Sequence, residues 1–529
     1  MTELLTAAQM RAIEKAAIDA GDVTGLALME RAGQGVVEAI LAAWPAAEGG
    51  QPRAVILCGP GNNGGDGFVV ARLLRARGWT VELFLYGVAE NLPPDARVNC
   101  QRWAAMGDTR ALAAFDAADV TRRSGHERPV TLIVDALFGT GLTRPIDSRL
   151  AEMMAKLSDM QPGERPVIVA VDVPSGLCAD SGRILGAAMP ADLVVTFHSP
   201  KIGHYLAEGA GAGAALMVKD IGVEARAPQP SDIVHLVSAD PARLGRDLDK
   251  GRRRDGGMAP HKYAHGHALI VSGDHGRAGA ARLAARGALR IGAGLVTVAS
   301  PPGAMAENAA RLDAIMLREM AEAAGLRQVL EDPRINALCL GPGMGTDTAQ
   351  ADLVAATLAT GRRTVLDADA LTLLSCHPAL WSGLHGGCIL TPHAGEFARL
   401  FPDIAEKLAA PATSGPAYSK VDATRAAAAR AGCVVLFKGP DTVIADPLGR
   451  AALNTALRDR AAPWLATAGS GDVLAGFITG LLARGFDPFA AACTGAWLHV
   501  SCGRAFGPGL IAEDLPEMLP RVLADLLAG

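Results

Sequence analysis

The stretch TAGSGDVLAG, residues 467–476, is the strongest indication of the fold and function of the C-terminal half of the chain. Its small residues permit a tight turn that exposes consecutive backbone N–H groups, and the apolar residues from Val473 onward predict a helix that leaves this turn. A helix N-terminus carries unpaired donors and a partial charge of about +0.5, which favours a phosphate or a phosphoryl group in transfer. Asp472 would repel that anion unless it takes the proton of the attacking hydroxyl. An alternative, in which Ser470 or Asp472 only caps the helix, stays open for an isolated G-S-G-D.

Length and composition predict two α/β domains. A chain of 529 residues exceeds what one hydrophobic core usually organises. Half of the residues are apolar, 61 are glycine and only 4% are aromatic, which is typical of Ala/Val/Leu-rich strands and helices joined by glycine turns. The formal net charge of -5 provides no global field that would favour nucleic acid or an anionic membrane. Anionic substrates must therefore be bound locally.

The cysteines and the N-terminal sequence indicate a cytoplasmic protein. Nine cysteines contain no C-x-x-C pair, and Cys58, Cys339, Cys388 and Cys433 lie in or beside apolar runs, so we expect reduced core residues. The N-terminus lacks the basic segment and apolar run of a signal peptide, and no uncharged apolar stretch approaches the roughly 18 residues that span a bilayer. We expect a homo-oligomer with no nucleic-acid or membrane partner.

In the first half, a predicted strand, AVILC (residues 54–58), runs directly into GPGNNGGDG (residues 59–67). This pattern predicts a strand, a glycine loop and then a helix through Arg77. Further strands are predicted at residues 193–197 and 215–218. The alternation of strands and helices predicts a parallel sheet.

A Rossmann dehydrogenase is one alternative for this loop. Gly59, Gly61 and Gly64 formally satisfy G-x-G-x-x-G, and Glu82 lies near the end of the next predicted strand. In a dehydrogenase the loop backbone must approach the pyrophosphate closely. Here Asn62, Asn63 and Asp66 instead crowd the loop with oxygens that suit a cation or a ribose hydroxyl, so we disfavour the dehydrogenase.

Two more strand ends carry oxygen-rich, glycine-rich exits. The run VTLIVDALFGTGLTRP (residues 130–145) places Asp135 at the end of a strand and a Gly-Thr-Gly turn after it. The run VIVAVDVPSGL (residues 167–177) places Asp172 and Ser175 in the same way. Because the carboxyl ends of parallel strands meet at one edge of a sheet, these side chains should converge on a ligand site.

These motifs carry a resemblance to a known family. GNNGGDG, VDALFGTGL and VDVPSGL, in this order, resemble the N-terminal (YjeF-type) domain that acts as NAD(P)H-hydrate epimerase, over about residues 1–222. The resemblance implies a Rossmann-like three-layer α/β/α domain. It implies hydrate contacts at Asn62, Asn63, Gly64, Gly65, Asp66, Gly139, Thr140, Gly141, Leu142, Thr143, Arg144, Pro145 and Asp172.

The same resemblance implies a potassium ion held by Asn63, Asp135 and Ser175. Amide, carboxylate and hydroxyl oxygens are hard ligands that suit a hard cation. Asp172 and Asp66 are the candidates for moving the proton during epimerisation, and Asp172 is predicted to be catalytic. Because the same domain also occurs in non-catalytic binding proteins, a nucleotide-binding module without activity is the alternative for this half.

A polar, proline-containing stretch, EARAPQPSD (residues 224–232), separates the halves. We predict domains at residues 1–222 and 240–529 with a linker at 223–239. The basic cluster at residues 250–254 is read as a solvated loop. His261, His265 and His267 could suggest zinc, but no further Cys or His shares their spacing, so we disfavour a zinc site.

The second half repeats the alternation of strands and helices, which predicts a doubly wound sheet. Strand exits follow at residues 338–345 (LCLGPGMG), 365–371 (VLDADAL), 389–396 (ILTPHAGE) and 434–444 (VVLFKGPDTVI). Such a sheet places its exits on one edge. We therefore expect a shared pocket formed by Gly343, Asp367, His393, Glu396, Lys438 and Asp472. The sequence contains no G-x-x-x-x-G-K-[ST], so the phosphate must be bound by the G-S-G-D turn.

The motifs GDHGRAGAA, GPGMG, LDADAL, TPHAGE, FKGPDTV and TAGSGD resemble, in order, the ribokinase-fold ADP- or ATP-dependent NAD(P)H-hydrate dehydratase, over about residues 240–527. The resemblance implies that Asp472 contacts the hydrate and acts as the catalytic base. It implies further hydrate contacts at Ala280, Gly343 and His393. It assigns the adenine nucleotide to Lys438, Gly439, Pro440, Asp441, Thr442, Thr467, Ala468, Gly469, Ser470 and Gly471. Glu396 resembles an acidic residue near Mg²⁺ and phosphate, although its motif begins here with His393.

Together the two resemblances imply a repair enzyme for NADHX and NADPHX, the hydrated forms of NADH and NADPH. Phosphate transfer to the C6 hydroxyl would create a leaving group, and its elimination would restore NAD(P)H, while the first domain would exchange R and S hydrates. The nearer alternative keeps the ribokinase fold but phosphorylates a vitamin precursor or a sugar.

Overall fold

The computed structural model describes residues 2–45, 52–117, 130–161, 165–211, 214–223, 233–238, 247–251 and 261–528. The chain forms two compact units. The first unit comprises Glu3–Ile233 and Pro411–Ser419, and the second comprises Met1–Thr2, Val234–Ala410 and Lys420–Gly529. The predicted linker sequence at residues 224–232 lies outside the described residues, as does most of the basic cluster at 250–254. No described helix is both long and apolar enough to cross a membrane.

The first unit is a three-layer α/β/α domain, as predicted. A short strand, β1 (Thr2–Leu4), precedes its first helix. Its sheet has the order β4-β3-β2-β5-β6-β7-β8, and every pairing is parallel. The strands are β2 (Arg53–Cys58), β3 (Thr80–Leu85), β4 (Thr109–Ala111), β5 (Leu132–Ala136), β6 (Val167–Val171), β7 (Leu193–Phe197) and β8 (Ala215–Lys219). The helices are α1 (Ala7–Asp19), α2 (Gly25–Ala43), α3 (Asn62–Ala76), α4 (Pro94–Ala104), α5 (Ser148–Ser158) and α6 (Ala207–Gly211).

Alternate residues of the central strand β2 supply two separate cores, because successive side chains of a strand point to opposite faces. Ile56 and Cys58 pack on one face with residues of α1 to α4. Val55 and Leu57 pack on the other face with residues of α5. The continuous apolar run AVILC therefore reflects a strand that is covered on both sides.

The predicted glycine loop after β2 is shorter than expected, which corrects our prediction. Helix α3 already begins at Asn62, so the residues through Gly67 are helical instead of forming a loop. The reason is close packing: a methyl group at Gly64 would overlap the carbonyl group of Gly59, so only glycine lets the helix start directly beside the strand end.

The structure shows that Glu82, the acidic residue required by the dehydrogenase alternative, is already bound to other side chains. Glu82 lies in the middle of β3, where its carboxylate accepts hydrogen bonds from Arg53 Nε at 2.7 Å and from an Arg110 guanidinium nitrogen at 3.1 Å. A carboxylate bound by two guanidinium groups is not available to a ribose hydroxyl. This geometry agrees with our reading of the G-x-G-x-x-G match as coincidental.

The second unit is a doubly wound α/β/α domain, as predicted. Its strands follow the order β9-β18-β17-β16-β15-β14-β13-β10-β11-β12, and only β17 runs antiparallel to its neighbours β16 and β18. The first five strands are β9 (Val234–Leu236), β10 (His267–Val271), β11 (Leu295–Ser300), β12 (Met316–Glu319) and β13 (Ile335–Leu340). The others are β14 (Arg363–Leu366), β15 (Cys388–Leu390), β16 (Val434–Phe437), β17 (Asp441–Ala445) and β18 (Ala451–Thr455).

The helices of this unit cover its sheet. They are α7 (Gly279–Arg290), α8 (Met305–Ala309), α9 (Ala323–Val329), α10 (Thr348–Leu358), α11 (Ala368–Cys376), α12 (Ala394–Leu400), α13 (Pro402–Ala409), α14 (Lys420–Ala431), α15 (Ser470–Ala483), α16 (Pro488–Phe506) and α17 (Asp514–Ala528). Cys58 of the first unit and Cys339, Cys388 and Cys433 of this unit are buried free thiols, as predicted.

Helix α15 is the centre of the second core, since every residue from Val473 to its end is buried. It packs against the alanine-rich helix α7, and the contact depends on small residues. A methyl group at Gly476 would overlap the backbone carbonyl of Ala284. The two helices therefore pack backbone to backbone, which holds the N-terminus of α15 at a defined position on the sheet edge.

We expect Gly476→Ala to destabilise the second unit by about 1–3 kcal/mol, because the overlap with a backbone carbonyl outweighs the roughly 1 kcal/mol that alanine gains in a helix. Gly386→Ala is the matched control, since Gly386 is exposed and a methyl group there meets no atom within 4 Å. Calorimetric unfolding of both variants measures the difference. Equal melting of the parent and Gly476→Ala would contradict this packing.

Candidate active sites

Asp472 lies in the first turn of α15, at the carboxyl edge of the second sheet. Gly469 precedes this helix in the left-handed conformation, with φ of 85°. No side chain among the described residues caps the helix, and Ser470 Oγ instead lies 3.1 Å from His499 Nε2. Neither Ser470 nor Asp472 is therefore a cap. Within the described part of the chain, the first N–H groups of α15 have no side-chain acceptor, as an anion site requires.

Lys438 follows β16 and joins the strand exits of the second unit. Its Nζ lies 2.7 Å from Asp367 Oδ1, after β14, and 3.8 Å from Glu396 Oε2, after β15. A methyl group built on Gly471 would lie 3.7 Å from the same Nζ, so Lys438 also borders the turn that carries Asp472. The segments after β14, β15 and β16 and the turn before α15, all predicted to lie at one edge of the sheet, therefore meet at the ammonium group of Lys438.

The charges around Asp472 make it a proton acceptor near neutral pH. Burial and the neighbouring carboxylates of Asp367 and Asp369 raise the pKa of Asp472 to about 7, although Lys438 opposes them. Burial lowers the pKa of Lys438, but Asp367 and Glu396 outweigh it and hold that pKa above its usual value. Lys438 therefore stays an ammonium while Asp472 exchanges its proton.

The GPGMG exit after β13 is tied to the same edge. Gly345 N–H donates to Asp369 Oδ2 at 2.8 Å. Gly343 lies beside Ala280, whose Cβ would be 3.5 Å from a methyl group built on Gly343. The two predicted hydrate contacts, Gly343 and Ala280, are thus neighbours. Asp369 was missed by the sequence analysis, although its place two residues after Asp367 in LDADAL is a usable signal.

His393 and Glu396 form the cap of α12. His393 N–H donates to Glu396 Oε2 at 2.8 Å, and His393 Nδ1 accepts from Gly395 N–H at 3.0 Å. The Glu396 carboxylate is buried, whereas the His393 side chain is 56% exposed. Glu396 thus has a structural role as well as its position 3.8 Å from Lys438. The neighbouring carboxylates of Asp367 and Asp369 are oxygen donors that suit Mg²⁺ bound through phosphate.

The predicted nucleotide segment forms the tight connection between β16 and β17. Thr442 is buried and donates to the carbonyl of Gly439 at 2.7 Å, while Asp441 Oδ1 accepts from Lys420 Nζ at 2.7 Å. Gly439 and Pro440 are exposed. In the other predicted nucleotide segment, Ala468 is exposed and Thr467 is half-buried. The exposed residues of these two segments are therefore accessible to a ligand. The side chains of Asp441 and Thr442 instead stabilise the turn through their hydrogen bonds.

In the first unit, a cavity of about 760 Å³ opens at the carboxyl ends of the parallel strands. Eleven of the predicted hydrate contacts line it: Asn62, Asn63, Asp66, Gly139, Thr140, Gly141, Leu142, Thr143, Arg144, Pro145 and Asp172. Gly64 and Gly65 do not belong to this wall, because both are buried inside α3. Both glycines pack tightly against neighbouring atoms, and their contacts with the hydrate stay a prediction.

A buried lysine holds Asp172 ionised. Lys201 follows β7, and its Nζ donates to Asp172 Oδ1 and to Thr196 Oγ1, both at 2.9 Å. Burial raises the pKa of Asp172, but the charge of Lys201 and the hydrogen bonds from Lys201 and Thr196 outweigh it and leave the pKa below its usual value. Asp172 also has a left-handed backbone, with φ of 65°, which is unusual outside glycine and common at functional sites.

Two other carboxyl groups of the cavity behave in the opposite way. Burial, together with the charges of Asp172 and Glu14, raises the pKa of Asp66 well above its usual value. Burial and Asp172 also raise the pKa of Glu14, against the effects of Lys201 and Arg11. The same cavity therefore holds one carboxyl group whose pKa is lowered and two whose pKa values are raised, and such a separation is the pattern of an acid and base pair.

Lys201 and Glu14 are not predicted from the sequence, for two different reasons. Lys201 lies in FHSPKIG, directly after a predicted strand, so the rule used for Asp135 and Asp172 would have found it. Glu14 lies on the amphipathic helix α1, where a carboxylate usually faces solvent. Only the fold reveals that this part of α1 lines the cavity.

The proposed potassium ligands lie beneath the cavity. Ser175 Oγ donates to Asp135 Oδ1 at 2.6 Å, and Ser175 N–H donates to Asp135 Oδ2 at 2.8 Å. The carbonyl oxygen of Phe138 lies 3.2 Å from Ser175 Oγ. Asn63 contributes its amide beside Gly139, and its buried Nδ2 has no hydrogen-bond partner among the described residues. Carboxylate, hydroxyl, carbonyl and amide oxygens fit a hard cation.

Comparisons with known proteins agree with this division. The family described as YjeF-related protein N-terminus matches residues 25–203, and the family described as NAD(P)H-hydrate dehydratase matches residues 268–523. The bifunctional NAD(P)H-hydrate repair enzyme Nnr of Moorella thermoacetica is 36% identical over 537 residues, which cover 99% of this chain and 97% of that protein.

Two further relatives agree with both halves. The enzyme of the same name from Salinibacter ruber is 35% identical, with coverage of 99% of this chain and 96% of that protein. The NAD(P)H-hydrate epimerase of Rhodobacter capsulatus is 48% identical over 234 residues, which cover 42% of this chain and all of that protein. Because the similarity spans both units from end to end, the chain belongs to the family of bifunctional NAD(P)H-hydrate repair enzymes.

Proposed function

We propose that this protein repairs hydrated NADH and NADPH at two separate sites. The first unit interconverts the R and S hydrates, and the second unit removes water from the S hydrate with ADP or ATP. The observation that carries the proposal is Asp472, a carboxyl group with a pKa of about 7 at an uncapped helix N-terminus beside Lys438. This arrangement places a base next to a phosphate site, as phosphoryl transfer to an alcohol requires.

In the dehydration, Asp472 takes the proton of the C6 hydroxyl while the oxygen attacks the terminal phosphoryl group of the nucleotide. A positioned base contributes typically 10²–10⁴-fold. Backbone N–H groups at the start of α15 and the ammonium of Lys438 stabilise the charge of the transferring group. Hydroxide is a poor leaving group, whereas phosphate leaves readily, so loss of phosphate from C6 together with a proton from C5 then restores the dihydropyridine.

No group of three acidic, histidine or cysteine side chains among the described residues is arranged to hold a metal ion by itself, so Mg²⁺ would be bound mainly through the phosphate oxygens of the nucleotide. Asp367, Asp369 and Glu396 are the residues that would hold it, directly or through water, together with the phosphate oxygens of the nucleotide. When bound, the ion supplies neutralisation of the phosphate charge. The exposed backbone of Gly439 and Pro440 and the 467–471 turn support binding of the adenine nucleotide.

In the epimerisation, Asp66 and Asp172 act as an acid and base pair. The hydrates differ in configuration at C6, so their exchange needs a proton delivered to the departing oxygen and a proton removed from the water that adds to the other face. The raised pKa of Asp66 suits the donor, and the lowered pKa of Asp172 suits the acceptor. Asn63, Asp135 and Ser175 would hold potassium, which would join the start of α3, the end of β5 and the loop after β6.

The proposed partners are NADHX, NADPHX and an adenine nucleotide, and the cytoplasm is the proposed location. A homo-oligomer is also proposed, and light scattering of the purified full chain measures its mass. The rival kinase of a vitamin precursor or sugar differs in its product. Incubation with mixed hydrates and ADP or ATP should yield NADH and free phosphate, whereas a stable phosphorylated product would favour the rival.

We expect Asp472→Asn to reduce dehydration by at least about 10²-fold, because the amide cannot accept the hydroxyl proton. Epimerisation should stay at the parent rate, since Asp472 belongs to the other unit. NADH absorbance follows dehydration of pure S hydrate, and chromatography of the hydrates follows their exchange. Equal loss of both activities would contradict two separate sites.

The dehydration rate should depend on pH through Asp472. Because its pKa is raised to about 7, the base is protonated and inactive at lower pH, and kcat should rise with pH until the group is ionised near neutrality. The measurement is kcat with saturating S hydrate and nucleotide across this range. A rate that is flat on both sides of pH 7 would contradict Asp472 as the base.

Asp66→Asn tests whether the first unit is catalytic or only binds nucleotide. We expect it to slow R/S exchange by about 10²-fold, because the amide cannot deliver a proton, and to leave dehydration of S hydrate unchanged. Asp95→Asn is the control, since Asp95 also lines the cavity but has no role in the proposed chemistry. If the parent exchanges R and S hydrates no faster than buffer, the binding-module alternative is correct.

A further inference from the structure

A short segment from the C-terminal part of the sequence belongs to the first unit. This segment, Pro411–Ser419, is here called the strap. It lies between α13 and α14 in sequence, yet its contacts are with the two loops that follow β5 and β6. The family match to the first half of the sequence ends at residue 203, and the strap lies within the family match to the second half, residues 268–523. The sequence alone offers no reason to connect it with the cavity.

The strap binds the loop that forms one wall of the cavity. Gly415 N–H donates to the carbonyl of Thr143 at 3.1 Å. Leu142 and Thr143 line the cavity on its other side. The backbone of this loop is therefore held from behind by a main-chain hydrogen bond, while its opposite surface faces the ligand space.

The strap also contacts the loop after β6. Ala417 N–H lies 3.4 Å from Cys178 Sγ, and Ala417 is buried in a small apolar cluster with Cys178 and Leu185. Leu142 of the cavity loop packs against this cluster as well. Ile146 N–H donates to the carbonyl of Leu185 at 3.0 Å, which joins the two loops directly. The strap, the loop after β5 and the loop after β6 thus all contact one another behind the cavity.

Gly415 permits this contact because it has no side chain. A methyl group there would lie 2.5 Å from the carbonyl oxygen of Leu142 and 3.4 Å from Thr143 Cα. Real Cβ atoms do not approach a backbone oxygen so closely, and a backbone neighbour cannot rotate away. Any larger residue must therefore displace either the strap or the cavity loop.

We propose that the strap positions the cavity loop around Leu142 and Thr143, and that it thereby sets the affinity of the first unit for the hydrated nucleotide. The proposal rests on the proposed epimerisation in this cavity. The strap carries no group for the chemistry itself, since Asp66 and Asp172 lie on other elements. Its action is therefore on binding, because a loop that is already held in one position loses less conformational entropy when the substrate binds.

The test uses the full-length chain with Gly415→Ala and with a second variant in which residues 412–418 are replaced by a Gly/Ser linker of equal length. The first variant pushes the cavity loop, and the second removes its support without adding bulk. We expect both to raise KM for R/S exchange several-fold with little change in kcat, and to leave dehydration of S hydrate unchanged. Gly386→Ala is the control, because a methyl group there meets no atom within 4 Å.

Hydrogen exchange supplies a readout that does not depend on activity. In both variants the backbone amides around Leu142 and Thr143 should exchange faster than in the parent, and the control should match the parent. Unchanged KM and unchanged exchange in the linker variant would overturn the role of the strap. Absence of epimerisation in the parent would instead overturn the proposed function, so the two failures are distinguishable.

Discussion

The ammonium of Lys438 is the interaction on which the second site depends. It pairs with Asp367, lies near Glu396 and borders the turn of Asp472, so it joins segments that are far apart in sequence. Several carboxylates at one sheet edge would repel each other without it. Burial and this repulsion outweigh the lysine and raise the pKa of Asp472 to about 7, so that Asp472 can exchange a proton near neutral pH. One half-buried cation thus stabilises the cluster and also leaves one member reactive.

The first site uses the same principle with a different outcome. Lys201 donates directly to Asp172 and lowers the pKa of that carboxyl group, while burial and the charge of Asp172 raise the pKa values of Asp66 and Glu14. A direct hydrogen bond from a buried lysine thus separates the pKa of one carboxyl group from those of its neighbours. In both units the lysine follows a strand of the sheet, so the same edge supplies the cation and the carboxylates.

Prediction from the sequence succeeded where the signal was local. The apolar strand runs, the polar residues after them and the glycine turn before Asp472 all depend on residues within about ten positions of each other, and the fold brought them to one edge as the rule for parallel strands requires. It failed where the reason was a neighbour distant in sequence. The residues after Asn62 are helical because Gly64 packs on Gly59, and Glu14 lines a cavity because of where α1 lies.

The sequence by itself determined the two α/β units, the order of their strands along the chain and the identity of most residues at the carboxyl edges. These features depend on the spacing of apolar residues and on the residue types of turns, both of which are visible within a short stretch of sequence. Only the tertiary structure decided which carboxyl groups are ionised, since a pKa depends on burial and on charges brought from other segments. It also decided that the 411–419 strap supports a cavity more than two hundred residues earlier in the chain, because that contact consists of backbone atoms and a missing side chain, which leave no pattern in a sequence.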